Sequence, residues 1–422
     1  MSMHYVGLFA TYIIESKPCI TLLSVSPMAK INSGSDDSSD SDGNEDETTS
    51  FTAEAHVSHF KNVFEIFGIQ DYKSWLTNQT ADNAKVNVKV SNLLGIPHVA
   101  CKSHCLNLEV NHMCDDVNDL KNCIESVHET MVQCKGKLTN AALLRNISRL
   151  KPIIHNKTRW SGKYYMLNRF TKIWSSLLEV AQNDQVSLDI DESAAFARKV
   201  DRYQKQLYHI NLTTKFLQTR LLPLSMCVSS LDMLHEDIEE HKQNDQHNLY
   251  RCKLKKKYTV NHSSIVVDHY FESGVKKIQE NNIHLMTENE HLACSKLRLE
   301  TINNSSQDEN EELSYMERIM KRQKKSDSEY NYGNCHFILG SVAEVERLWS
   351  ICDNVLNDHR NRMSPLLFEC IVFLKINKRF WGVAQVAEAM KMHRDEVQTR
   401  VEEEALLHID ENQVCVRRNI YI

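Results

Sequence analysis

The sequence predicts an α/β chain whose sheet-forming parts are separated by a long all-helical stretch. Three observations predict it. Alternating β-branched and aromatic runs open the chain and give way in turn to helical and strand segments, the order hairpin, helix, strand, helix, strand. Apolar residues from Val117 to Leu138 then recur every three or four positions, the period of a helix face. Only 11 Gly and 6 Pro occur in 422 residues, too few for a sandwich built on many tight turns. With 41% hydrophobic residues the chain can bury a sizeable core in two or three units.

Met3–Ile13 and Cys19–Val25 read as the strands of a hairpin turning at Glu15–Pro18. Residues 31–50 hold seven acids and no base; such a segment repels itself and buries nothing, so it reads as a disordered, solvated loop. Phe51–Gly68 reads as a helix with Phe60, Val63, Phe64 and Phe67 on one face, closed by Gly68. A strand is expected from Tyr72 to Ala81, a helix over Ala84–Leu94 closed by Gly95, and a short strand over Ile96–Ala100. Val117, Leu120, Ile124, Val127, Met131, Cys134 and Leu138 make the helical seam, and Leu167, Phe170, Ile173, Trp174 and Leu177 make its partner within Tyr164–Ala181. Residues 185–335 show helical patterns without strand alternation. Ser341–Leu356 reads as a sheet-packing helix with Ser341 and Glu344 as a capping box. Pro365 starts another, whose Leu366, Leu367, Phe368, Cys370, Ile371, Phe373 and Leu374 form an apolar surface suited to core or to a subunit interface. The expected units are therefore 1–115, a helical insertion over 116–335, a region over 336–392 that completes the sheet domain, and a tail over 393–422.

A net charge of −6 provides no global basic field, so nucleic-acid contact would have to come from local patches. Arg251, Lys253, Lys255, Lys256 and Lys257 form one, and Arg318, Lys321, Arg322, Lys324 and Lys325 another. Each reads equally as a phosphate contact or a solvated helix face. The 13 Cys are scattered, no secretory leader opens the chain and no apolar run is long enough to span a bilayer, so an intracellular setting without a membrane partner is expected.

Asp82 follows an expected strand at the end where open α/β sheets present ligands; it suits a hard divalent cation, and it also suits the cap of the next helix. Glu346 lies one turn into a helix beside Arg347, a cation ligand or an ion-pair partner. Cys101, His104 and Cys105 have zinc-like spacing but no partner motif, so a structural role is preferred and zinc is not expected. Arg159-Trp160 offers an indole for stacking on an extruded base, or a core tryptophan.

Together, Asp-Asn-Ala at 82–84, Cys-x-x-His-x-Leu-Asn-Leu at 101–108, Thr-Arg-Trp with Tyr165-Met166-Leu167-x-Arg169, and Glu-Arg-Leu-Trp-Ser at 346–350 resemble, in order, the motifs of hAT-superfamily DNA transposases. Residues 353–381 resemble that family's dimerisation region. The resemblance implies an RNase H-like core with a helical insertion, and an Asp-Asp-Glu triad holding Mg²⁺ for two-metal phosphoryl transfer. Asp82 matches the second acid and Glu346 the third; Arg159 and Trp160 match the segment that handles a flipped base, and Cys101 and His104 the family's Cys–His motif. The first acid would sit on a strand before His4, upstream of Met1. The expectation is thus a nuclear, transposase-derived, catalytically inactive protein that self-associates through Leu366, Leu367, Phe368, Ile371, Phe373 and Leu374 and contacts DNA through Lys255–Lys257. The alternative is an active Mg²⁺-dependent transposase whose missing carboxylate comes from upstream sequence or a partner.

Overall fold

The computed structural model describes residues 5–28, 52–156, 159–183, 186–242, 266–299, 331–356 and 363–394. The acidic segment 31–50, both basic clusters and the tail beyond 394 lie outside them. The chain forms two compact units, Met1–Ala10 with Thr21–Pro27 and Leu348–Ile422, and Thr11–Ile20 with Met28–Arg347.

The hairpin is β1 (Tyr5–Ile14) and β2 (Lys17–Pro27). Its tight turn puts Glu15 and Ser16 at φ +48° and +62°, the left-handed pair that matches the twist of two-residue hairpin loops. In the first unit, Leu22 and Val25 of β2 join Leu348, Cys352 and Val355 of one helix and Phe368 and Val372 of another in a small core. Asn377, itself buried, acts as a surrogate strand: its Oδ1 accepts from Leu22 N at 3.3 Å and its Nδ2 donates to Leu22 O at 2.8 Å. Both polar groups of a buried strand residue are thereby satisfied.

The second unit begins its helical part with α1 (Ala53–Ile66), where Thr52 Oγ1 caps Ala55 N. Val63 and Phe64 of the expected face are buried, whereas Phe67 stays largely exposed beyond the helix end. The strand expected over 72–81 is instead a single helical turn, α2 (Tyr72–Trp75), and a three-residue strand, β3 (Gln79–Ala81). The cause is side chains that bond locally: Ser74 Oγ to Asp71 O, Thr77 Oγ1 to Asn78 Oδ1, and Asn78 Nδ2 to Thr80 Oγ1. After α3 (Lys85–Leu94), closed by Gly95 at φ +70°, comes β4 (His98–Ala100), which pairs parallel to β3 with Thr80 opposite Val99.

Among the described residues the strands make two two-stranded sheets, β1-β2 and β3-β4, with no strand pairing between them. The outer edge of β4 is closed by carboxylates. Asp268 Oδ2 accepts from His98 N at 2.5 Å and Glu272 Oε1 from Ala100 N at 3.1 Å, which occupies the amides another strand would need.

Helices dominate the rest: α4 (Lys102–Asp116), α5 (Asn118–Gly136), α6 (Leu138–Ile147), α7 (Trp160–Ala181), α8 (Ala194–Leu217), α9 (Leu224–Lys242), α10 (His269–Gln279) and α11 (Glu288–Ala293). The α5 seam packs against Leu167, Phe170, Ile173 and Leu177 of α7 in the main core. The seam ends one residue early. Leu138 keeps the period but starts α6 after a break at Lys137, so it is almost fully exposed. The last helices are α12 (Ala343–Val355), α13 (Pro365–Ile376) and a segment over 383–394. Ser364 Oγ caps Leu367 N, and Pro365 occupies the first turn, where its missing N–H costs nothing. No helix among the described residues is long and apolar enough to cross a membrane.

Candidate functional site

The segment leading into α12 is laced to the carboxyl ends of β3 and β4. Thr80 Oγ1 donates to Leu339 O at 3.2 Å, Lys102 N donates to Gly340 O at 2.8 Å, and Val342 N donates to Cys101 Sγ at 3.4 Å. On its other side the segment pairs with the chain before α9, through Leu224 N to Ile338 O at 3.0 Å and an antiparallel bridge between Pro223 and Leu339. Gly340 is required there, because a Cβ at this position would lie 2.7 Å from both Cβ and Sγ of Cys227 and 3.2 Å from Leu224 Cα. This lacing fixes the start of α12 beside the sheet rim, one turn before Glu346.

Asp82 is the first residue beyond β3. Its Oδ1 accepts from Ala84 N at 3.0 Å and from Asn87 Nδ2 at 2.7 Å, so the carboxylate holds the entry to α3. Glu346 Oε2 lies 3.7 Å from Arg159 Nη2, with the two side chains 33% and 61% exposed. Its neighbours in α12 bind elsewhere. Glu344 Oε1 receives Arg347 at 2.6 Å and Arg220 at 3.3 Å, while Arg347 also donates to Gln218 O beyond the end of α8.

The fit of this rim to Mg²⁺ is poor. A magnesium site needs oxygens free to point at one ion. Here one oxygen of Asp82 already carries two donors and Glu346 already faces a guanidinium. No group of three or more His, Cys, Asp or Glu suited to a metal occurs among the described residues.

Cys101 is fully buried, and burial pushes its thiol up from the ordinary range, against the pull of the Val342 amide. Cys105 and Cys227 are likewise pushed by burial up to about 12. These sulfurs stay protonated at neutral pH, and Cys101 serves as a hydrogen-bond pin between β4 and α12. His104 sits half-buried on α4.

The two halves of the Arg159-Trp160 motif separate. Arg159 is in the N-cap position of α7 and exposed; Trp160 is 1% exposed within the main core, its backbone N donating to Asn107 Oδ1 at 3.1 Å. The indole is enclosed on all sides and presents no face to a base. This corrects the stacking expectation for Trp160. Lys255, Lys256 and Lys257 lie outside the described residues.

Sequence reading missed the polar network under β4. Lys102 Nζ lies 2.5 Å from Glu272 Oε2, with both side chains buried, and His98 is enclosed beside them with Nε2 3.3 Å from Asn83 Oδ1. Burial holds the His98 imidazole below its usual value, against the upward pull of the Glu272, Asp268 and Asp82 carboxylates. A depressed histidine favours the neutral form in the fold, so its stabilisation is complete above about pH 6.5 and is lost as pH falls through the lower folded value. The urea midpoint is therefore expected to drop between pH 7.5 and 5.5, and His98→Asn to flatten that dependence; an equally steep profile in the variant would remove His98 from it.

This fold and rim define a helix-dominated α/β protein with a short, edge-capped parallel strand pair. No protein-family model and no curated protein matches the chain.

Proposed function

We propose that this is a transposase-derived protein, catalytically inactive, that acts by self-association and contacts DNA in the nucleus. The reading takes the short strand pairs and the helices after them as an RNase H-like layer carrying a helical insertion. Support comes from the order of the four sequence motifs, from the contacts of Asp82 with Ala84 N and Asn87 Nδ2, and from the pairing of Glu346 with Arg159. DNA contact through Lys255, Lys256 and Lys257 belongs to the same proposal.

The observation that carries self-association is the outer side of α13. Phe368 and Val372 are in the small core, with Ile371 and Phe373 packed against it, while Leu366 is 71% exposed and Leu367 and Leu374 also face solvent. A helix apolar on both sides is one that a second surface covers. Wild-type chain is expected to sediment as a dimer, and Leu366→Asp with Leu374→Asp as a monomer that keeps the wild-type far-ultraviolet circular dichroism, because neither residue is in the core. A monomeric wild type at micromolar concentration would end the proposal.

A further inference from the structure

We infer that Arg159 is the resident counter-ion of Glu346, a guanidinium that closes the β3-β4 rim to divalent cations for as long as its charge is in place. The inference deepens the reading of the rim as a former metal site, and it fails separately, since self-association is tested by sedimentation.

Arg159 reaches Glu346 because two independent constraints aim the two residues. The lacing of Leu339, Gly340 and Val342 to Thr80, Lys102 and Cys101 sets where α12 begins, and Glu346 follows one turn later. The backbone of Arg159 is held by its neighbour: Trp160 is locked into the core and its amide donates to Asn107, and from this N-cap position the guanidinium reaches Glu346. Arginine keeps its charge at every accessible pH, so its pairing with Glu346 does not depend on protonation. Asp82, the carboxylate just beyond β3, has its Oδ1 occupied by Ala84 N and Asn87 Nδ2. A divalent ion arriving at Glu346 meets a positive charge within contact distance of the same carboxylate. At comparable distances the guanidinium's repulsion of the ion offsets the attraction of the Glu346 carboxylate, so the pair presents little net charge to it.

The pair is also soft. Arg159 is mostly exposed, and such contacts contribute little to folding and weaken with salt. Removing the guanidinium should therefore leave the fold intact and change the ion selectivity of the rim, which makes the idea testable in the folded chain.

The probe is Mn²⁺ alone, titrated into the full chain with free ion followed by electron paramagnetic resonance at low salt. Arg159→Gln is expected to bind Mn²⁺ at least about tenfold more tightly than wild type, a difference of about 1.4 kcal/mol. Arg159→Lys, which keeps the charge, should behave as wild type. Adding Glu346→Gln to Arg159→Gln should cancel the gain, which assigns it to this carboxylate. Three results would overturn the inference: Arg159→Gln binding no more tightly than wild type, wild type binding as tightly as Arg159→Gln with Glu346→Gln abolishing it, or a gain that survives in the double variant. Circular dichroism of each variant reports on folding, and the lysine variant carries the comparison through any loss of helix at the start of α7.

Discussion

Lys102→Met is expected to lower the unfolding free energy by about 3–5 kcal/mol, measured by urea denaturation at neutral pH. The side chains of Lys102 and Glu272 are 1% and 4% exposed, and their charged atoms lie 2.5 Å apart. Removing the ammonium strands a buried carboxylate without its charge partner. The partner variant divides the effect further. Glu272 has two tasks, since its other oxygen accepts from Ala100 N on the edge of β4. Glu272→Gln removes the charge and keeps that acceptor, whereas Glu272→Leu also leaves a buried amide unpaired. Lys102→Met with Glu272→Gln is therefore expected to recover more than half of the single-variant loss, and Lys102→Met with Glu272→Leu much less. Strictly additive losses would show that the two residues do not act on each other.

That pair also marks where sequence reading stops. The hairpin was legible because alternation and turn chemistry are local, and α1, α3 and α13 because Thr52, Gly95 and Ser364-Pro365 punctuate them. Periodicity alone misled at Leu138, which stays in phase with the α5 seam although the chain has already turned at Lys137. The strand expected over 72–81 shrinks to three residues because Ser74 bonds back to Asp71 O and Thr77, Asn78 and Thr80 bond one another locally. At the rim, residue-level chemistry offers Asp82 as a helix cap and Glu346 as an ion-pair partner; Glu346 faces Arg159, while Asp82 accepts from Ala84 N and Asn87 Nδ2 although the N-cap of α3 is Ala84, without a side-chain cap bond. Nothing near Lys102 signals Glu272, and nothing near Gly340 signals Cys227, because those constraints exist only once distant segments meet. Such residues are found by asking where each buried charge or tight approach ends, a question a single sequence does not pose.

The second large effect is expected at Trp160, where Trp160→Ala should cost about 3–5 kcal/mol of stability. The residue is among the largest enclosed side chains of the main core, and its ring lies 6.4 Å from that of Tyr164 one turn along α7. Truncation removes contacts from the α7 face that packs under α5 and leaves a void that neighbouring helices fill only in part. Trp160→Phe separates packing from polarity. The indole Nε1 is buried without a hydrogen-bond partner, so phenylalanine gives up some volume but also removes an unsatisfied donor. The loss for Trp160→Phe should thus be well under half of that for Trp160→Ala, at an unchanged denaturant slope. A surface tryptophan kept for ligand stacking would behave otherwise, with both variants leaving the midpoint near wild type. Because Arg159 depends on this anchor for its aim at Glu346, Trp160→Phe should also leave Mn²⁺ exclusion as in wild type, whereas any variant that lets the start of α7 swing would raise Mn²⁺ affinity without touching either charge.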